Sequence, residues 1–192
     1  TYFVFKDSDN ARVYANRSVE ICNKYGFGRI KGEALHTIFE VVDLEVMNGI
    51  QPEGSSLSIL EEALDLSKRH AGFFMALDLI THQVVIDKRT GDCEKIPSRL
   101  AEIEGYLAKG IQYRYFYGRS LNVWGDCAFD NRDYETAYNR YHKGYQELAI
   151  GGDSGAFAAP YKGQTRDHLP KILERTPLEQ RSKYCREFID FW

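Results

Sequence analysis

The chain has 192 residues, the size of one domain or of one short repeat array. Hydrophobic residues make up 43%, charged residues 28% and aromatic residues 14%, enough apolar material for a packed core, which excludes an intrinsically disordered chain. A net charge of −3 supplies no general attraction to nucleic acid or anionic membrane. No apolar run approaches the length of about 18 residues that a membrane-spanning helix needs.

The elements, in chain order, read as helices. Ser8 or Asp9 caps a helix to about Tyr25, stopped by Gly26 and Gly28, with Ala11, Val13, Tyr14, Ser18, Val19 and Ile21 recurring at three and four. A second helix carries Ala34, Leu35, Ile38, Val41, Val42 and Leu44 and stops near Asn48-Gly49. Gln51 to Ser56 is a loop by its Pro, Gly and Ser content. Leu57–His70 and Gly72 to about Ile86 form the third and fourth helices, the latter weakened by the β-branched run Val84-Val85-Ile86, which leaves fraying and extension both open. Asp87 to Asp92 reads as a charged turn. The fifth helix runs from about Pro97 to Lys109-Gly110, the sixth from Tyr113 to about Asp130, and the seventh from Tyr134 to Ala149 with Asp133 as its cap. Gly151–Gly163 is one long loop, which as a lid would cover a groove, and Arg166–Arg175 and Leu178–Trp192 read as two closing helices.

The four cysteines, Cys22, Cys93, Cys127 and Cys185, are scattered, without C-x-x-C or a histidine at ligand spacing. They read as reduced, buried small residues, with disulfides neither required nor ruled out, and no zinc site or other cofactor is expected from them. Both ends, Thr1-Tyr2-Phe3-Val4-Phe5 and Phe188-Ile189-Asp190-Phe191-Trp192, are apolar, and no signal peptide pattern is seen. The expectation is a piece of a longer, cytoplasmic protein.

Internal repetition organises this series. Ala34-Leu35-His36-Thr37-Ile38 superimposes on Ala76-Leu77-Asp78-Leu79-Ile80 at a spacing of 42, and Leu121-Asn122-Val123-Trp124 follows with Leu121 lying 44 beyond Leu77. Small residues recur in the other helices, Ser18, Ala63, Gly105 and Gly144, separated by 45, 42 and 39. A period near 42 denotes a solenoid of helix pairs, and the small residue lets neighbouring helices approach closely. Chance alignment of amphipathic helices is the alternative.

Tyr117 to Leu148 resembles a tetratricopeptide repeat. Leu121 stands at that family's first large position, Trp124-Gly125 at its Leu-Gly pair and Ala128 at its next packing position. After the turn come Asp133-Tyr134, Ala137 at the invariant-looking small position, Tyr141 at the aromatic and Gly144 at the final alanine. The family's proline after the second helix is replaced by Ile150-Gly151-Gly152, and the small Ala128 and Gly144 imply looser local packing. Ala11 to Leu35 resembles the second helix of one unit running into the first of the next. Ser18-Val19-Glu20-Ile21 through Tyr25-Gly26 resembles the longer repeats behind the ATPase modules of signalling (STAND-type) NTPases. The resemblance implies an all-α, right-handed α-solenoid of antiparallel helix pairs over 1–149, a Gly/Ala-rich loop over 150–164 and C-terminal closing or capping helices over 165–192.

Motifs for chemistry are weak. Gly152-Asp153-Ser154-Gly155 matches the nucleophile tetrapeptide of chymotrypsin-like proteases, but no strand series is present to build their barrel, and a turn is the simpler reading. Gly26, Gly28 and Gly32 follow a helix with the wrong spacing for a dinucleotide fingerprint. His36 and Glu40, at i and i+4, with His82 from the matching helix, are candidates for ligands or an acid/base pair, but a third ligand is not evident; a solvated helix face is the alternative. Tyr113, Arg114, Tyr115, Tyr117 and Arg119 form a basic aromatic stretch suited to RNA stacking or, as the negative net charge favours, to helix packing.

The family resemblance implies a concave surface lined by the first helix of each pair, with no enzyme activity, cofactor or metal. Its positions carry over to Glu33, His36, Glu40 and Asp43, then Met75, Asp78, His82 and Val85, then Arg119, Asn122, Asp126, Phe129 and Asp130. Six carboxylates there face one arginine, so the expected partner is a protein or peptide of basic character, or another domain of the same chain. Charges that merely keep the helix faces solvated are the alternative. The Lys, Arg and Asn set with which relatives clamp chaperone tails is missing. The expected role is a scaffold or sensor in a signalling protein, with a helical nucleic-acid binder and a helical enzyme as the rivals.

Overall fold

The structure is a computed structural model, and it describes residues 8–50, 55–70, 72–150, 170–176, 178, 181, 182 and 185. Among these the regular structure is helical throughout, with no strand. The helices are α1 (Ser8–Tyr25), α2 (Gly28–Met47), α3 (Ser56–Arg69), α4 (Phe73–Thr90), α5 (Ile96–Leu107), α6 (Arg114–Asp130) and α7 (Tyr134–Ile150). Single 3₁₀ turns at Cys93–Lys95 and Ile111–Tyr113 lead into α5 and α6, and residues 170–175 are helical. No described helix is long and apolar enough to cross a membrane.

The helix stops follow local chemistry. Gly26, Gly49 and Gly91 end α1, α2 and α4 with φ of +75°, +75° and +85°, a conformation that costs glycine little. Pro97 lies in the first turn of α5, where its missing N–H is not needed. Asp133 caps α7, its Oδ1 accepting the Thr136 N–H at 3.1 Å.

One stretch departs from the sequence expectation. Val84-Val85-Ile86 neither frays nor ends α4, which continues through the expected turn at Asp87 to Thr90. Val84 is completely buried, so the burial of its side chain offsets the weak helix propensity of branched residues. Asp87, on the added turn, takes Arg99 Nε at 3.4 Å.

Contacts divide the chain into two compact units, Thr1–Leu79 and Ile80–Trp192, with the division inside the unbroken helix α4. In the first unit α1, α2 and α3 follow one another as antiparallel neighbours. An Arg12–Glu45 ion pair joins the start of α1 to the end of α2. Lys31 reaches Glu62 at 2.7 Å from α2 to α3. Gly32 makes the close approach between these helices, since a Cβ there would stand 3.4 Å from Leu66 Cβ and 3.7 Å from the Ala63 carbonyl. Leu35, Ile38, Phe39, Leu60, Ala63, Ala76 and Leu77 are buried. The two superimposed pentapeptides agree in burial at four of five positions, Thr37 being half-buried where Leu79 is buried.

In the second unit α6 and α7 pack as an antiparallel hairpin around a cluster of Ala128, Ala137, Tyr138, Tyr141 and Ile172, with Phe129, Tyr134 and Leu173 against it. Ile172 brings the first part of the expected closing region onto this hairpin. The looser packing expected at Gly144 is corrected. A Cβ on Gly144 would lie 2.9 Å from the Gly118 carbonyl, and one on Gly118 would lie 2.7 Å from the Gly144 carbonyl, so glycine brings the backbones together. Gly105, by contrast, is exposed and a Cβ there meets nothing within 4 Å, so it does not share the close-approach role of Ala63 and Gly144.

Cysteine pairing is also corrected. Cys93 and Cys127 form a disulfide, with Cα atoms 6.2 Å apart, tying the turn before α5 to α6. Cys22 is free and buried, and Cys185 is free and exposed. Gly151–Gly163, with its lid and its Gly-Asp-Ser-Gly, and most of Leu178–Trp192 lie outside the described residues.

Candidate functional site

Residues four apart on a helix occupy the same face one turn from each other. α2 places His36 and Glu40 in this relation, and α4 places Asp78 and His82 likewise. The pairs are in register: Asp78 lies 42 residues after His36, and His82 lies 42 after Glu40.

The structure closes the register into a cluster. His36 Nε2 lies 3.1 Å from Asp78 Oδ2 and 3.8 Å from Glu40 Oε1. These three belong to the first unit, and His82 stands one turn beyond Asp78 on the same helix. One donor atom from each of His36, Glu40 and Asp78 lies within 4.8 Å of the others. Side-chain exposure is 18% for His36, 13% for Glu40 and 21% for Asp78, so the donors are largely withdrawn from water yet reachable.

Burial by itself pushes the His36 pKa down. The hydrogen bond with Asp78 and the charges of Asp78 and Glu40 outweigh it, and the imidazole is held above its ordinary value. One imidazole nitrogen and two carboxylate oxygens form a donor set able to contribute to holding a divalent ion or to relay a proton between carboxylate and imidazole. Asp78 is the third donor that helix spacing alone did not reveal. Its signal in the sequence is the 42-residue register.

The other expected groove residues are placed differently. Glu33 is exposed and pairs with Arg29 at 3.2 Å, and Asp130 is exposed and pairs with Lys88 at 3.1 Å. Met75 and Val85 are half-buried on α4, and Arg119 is half-buried on α6. Asp43 and Asn122 are buried rather than presented to a partner. Asn122 packs where a Gly144 side chain would otherwise stand. Asp126 turns toward α7 and accepts the Tyr141 hydroxyl at 2.6 Å. Burial, with the charges of Asp126 and Asp130, pushes the Tyr141 phenol far up, which keeps it a neutral donor. Phe129 packs edge-on against Tyr134 with ring centroids 5.6 Å apart, and Arg175 lies over its ring. Of the six expected carboxylates, Glu33 and Asp130 are exposed, Glu40, Asp78 and Asp126 are half-buried and Asp43 is buried.

Of the basic aromatic stretch, Tyr117 is buried and Tyr113, Arg114, Tyr115 and Arg119 are half-buried. Phe116 and Tyr117 are buried, Tyr115 packs edge-on to Phe116, and Arg114 is paired with Glu147. Gly28 and Gly32 lie within α2, not in a phosphate-cradling loop. A cation–π contact absent from the sequence reading puts the Arg140 guanidinium 3.4 Å from the Trp124 ring centre. No family model, curated protein or solved structure matches the chain.

Proposed function

We propose that the chain is a tetratricopeptide-like protein-binding module, a right-handed helical solenoid that serves as a scaffold or sensor region of a signalling protein and takes a basic peptide or partner. The observation that carries this reading is the α6–α7 hairpin. Gly125 leaves room for the Tyr141 ring, which a Cβ would approach to 2.6 Å, while Ala137 is completely buried at the small position of the second helix. These are the packing roles that the resemblance assigns to those residues.

The exposed carboxylates are the natural contacts for a basic partner, because they keep their solvation until the partner arrives and steer its approach. Glu33 and Asp130 fit that description better than the buried Asp43. The cytoplasmic setting enters this reading through the sequence's lack of a signal-peptide pattern, and the Cys93–Cys127 bond weighs against it, since persistent disulfides are a property of oxidising compartments.

Affinity capture from native lysate, run with the wild type and with Glu33→Lys and Asp130→Lys variants, tests the proposal. The expected result is a protein captured by the wild type, depleted by one of the charge reversals and released by raised salt. Capture of nucleic acid alone, or of no protein at all, would refute the protein-binding reading.

A further inference from the structure

α1, which lies wholly in the first unit, carries two seams of side chains. Arg12, Ala15, Val19 and Cys22 form the seam packed on α2, with Ala15 and Cys22 buried and Arg12 paired to Glu45. Ala11, Tyr14, Ser18, Ile21 and Tyr25 recur at three, four, three and four along the adjoining face, the spacing by which two helices interdigitate. In this second seam Tyr14 and Tyr25 are 68% and 60% exposed and Ile21 is exposed with them. Tyr25 stacks on the exposed Phe27, which extends the apolar surface past the helix end. Large apolar side chains gathered in one stripe mark a contact surface, whereas singly scattered ones do not. The flank of the seam carries Arg17, Glu20 and Lys24, three and four apart and all exposed. With the exposed Asp9 on the same side these charges cancel, so the face attracts neither a polyanion nor an anionic membrane.

We propose that α1 packs antiparallel on α1 of a second copy of this chain, about a two-fold axis near Ser18. An antiparallel pairing sets a flank against the same flank of the other helix, so Arg17 of each copy meets Glu20 of the other in two reciprocal ion pairs. Tyr14 of each copy then lies beside Ile21 of the other. Both pairings, Arg17 with Glu20 and Tyr14 with Ile21, are centred within one residue of Ser18, so a single register satisfies them. Ser18 at the crossing is small enough for the two backbones to approach, as Gly32 and Ala63 are between α2 and α3. A parallel pairing would set the charged flank against the side holding Ala15 and Cys22, which α2 already covers. The inference uses neither Glu33 nor Asp130, so it stands apart from the protein-binding proposal and does not need it.

The test is sedimentation equilibrium of the 192-residue chain over a range of concentrations. A reversible monomer–dimer equilibrium is expected. Ile21→Glu should be monomeric where the wild type is dimeric, with unchanged helicity because the side chain is exposed. Arg17→Glu and Glu20→Arg should each weaken the dimer several-fold by setting like charges opposite one another. The double exchange Arg17→Glu/Glu20→Arg should restore it, and this arm decides the matter if Ile21→Glu disturbs α1. A wild type that stays monomeric at every concentration overturns the proposal, as does a dimer that survives Ile21→Glu in a folded chain. A double exchange no tighter than the single ones overturns the antiparallel register. Assembly beyond the dimer also overturns it, because a closed two-fold contact stops at two copies.

Discussion

Asp133 shows how much one side chain contributes at a helix end. The first turn of α7 has backbone N–H groups without intrahelical acceptors, and Asp133 satisfies that of Thr136. The hydrogen bonds from Thr136 hold the Asp133 carboxyl below its ordinary pKa. Its folded pKa is thus the lower one, so its stabilisation is complete above the unfolded-state value and disappears as pH falls through the folded value. Asp133→Ala should cost about 1 kcal/mol at neutral pH. Denaturant midpoints should show the variant and the wild type converging at acid pH, and a difference that persists there would show that the carboxylate is not the source. The cap was legible in the sequence because its chemistry is local: an acidic residue before an amphipathic run. Asp126 and Asn122 were equally visible as polar residues, but which neighbour each meets depends on the rotation of α6 against α7.

At the scale of elements, separation between helices is set by what their facing surfaces can omit. Gly118 and Gly144 face each other across the α6–α7 hairpin with no room for a methyl group on either. Gly118→Ala would drive a Cβ into the Gly144 carbonyl at 2.7 Å and the Leu148 side chain at 2.8 Å. The expected cost is about 1–3 kcal/mol, the usual range for overpacking, whereas Gly105→Ala should be neutral or slightly stabilising because its Cβ meets open space. Thermal midpoints of the two variants distinguish them, and equal shifts would show that the close approach is not what the glycine serves. The same scale explains α4. Its β-branched run left fraying and extension both open when judged on propensity, and burial of Val84 carries the helix through it.

For the whole molecule, the disulfide acts on the unfolded chain more than on any one contact. Cys93 and Cys127 are 34 residues apart, and closing a loop of that length restricts the denatured ensemble. Reduction should lower stability by about 3–4 kcal/mol on the loop-entropy account. Urea unfolding with and without a reductant reads this directly, and a Cys93→Ser/Cys127→Ser variant should behave as the reduced chain under both conditions. An unchanged midpoint on reduction would show that the bond contributes nothing to folding. This pairing was beyond the sequence because four scattered cysteines permit several partners, and a bond requires the two Cα atoms to be brought within about 7 Å of each other.

The sequence by itself determined that the regular structure of the described residues is helical, where most helices end, and that the positions of His36 and Glu40 on α2 recur 42 residues later as Asp78 and His82 on α4. Those properties are written in the 3.6-residue period, in glycines tolerant of positive φ and in short-range capping, all of which act within a few residues. Only the tertiary structure decided that Asp78 meets His36, that Asn122 and Asp126 turn toward α7, and that Cys93 finds Cys127. Such meetings depend on the distance and rotation between helices, which Gly32 against Ala63 and Gly118 against Gly144 set through the volume they leave empty.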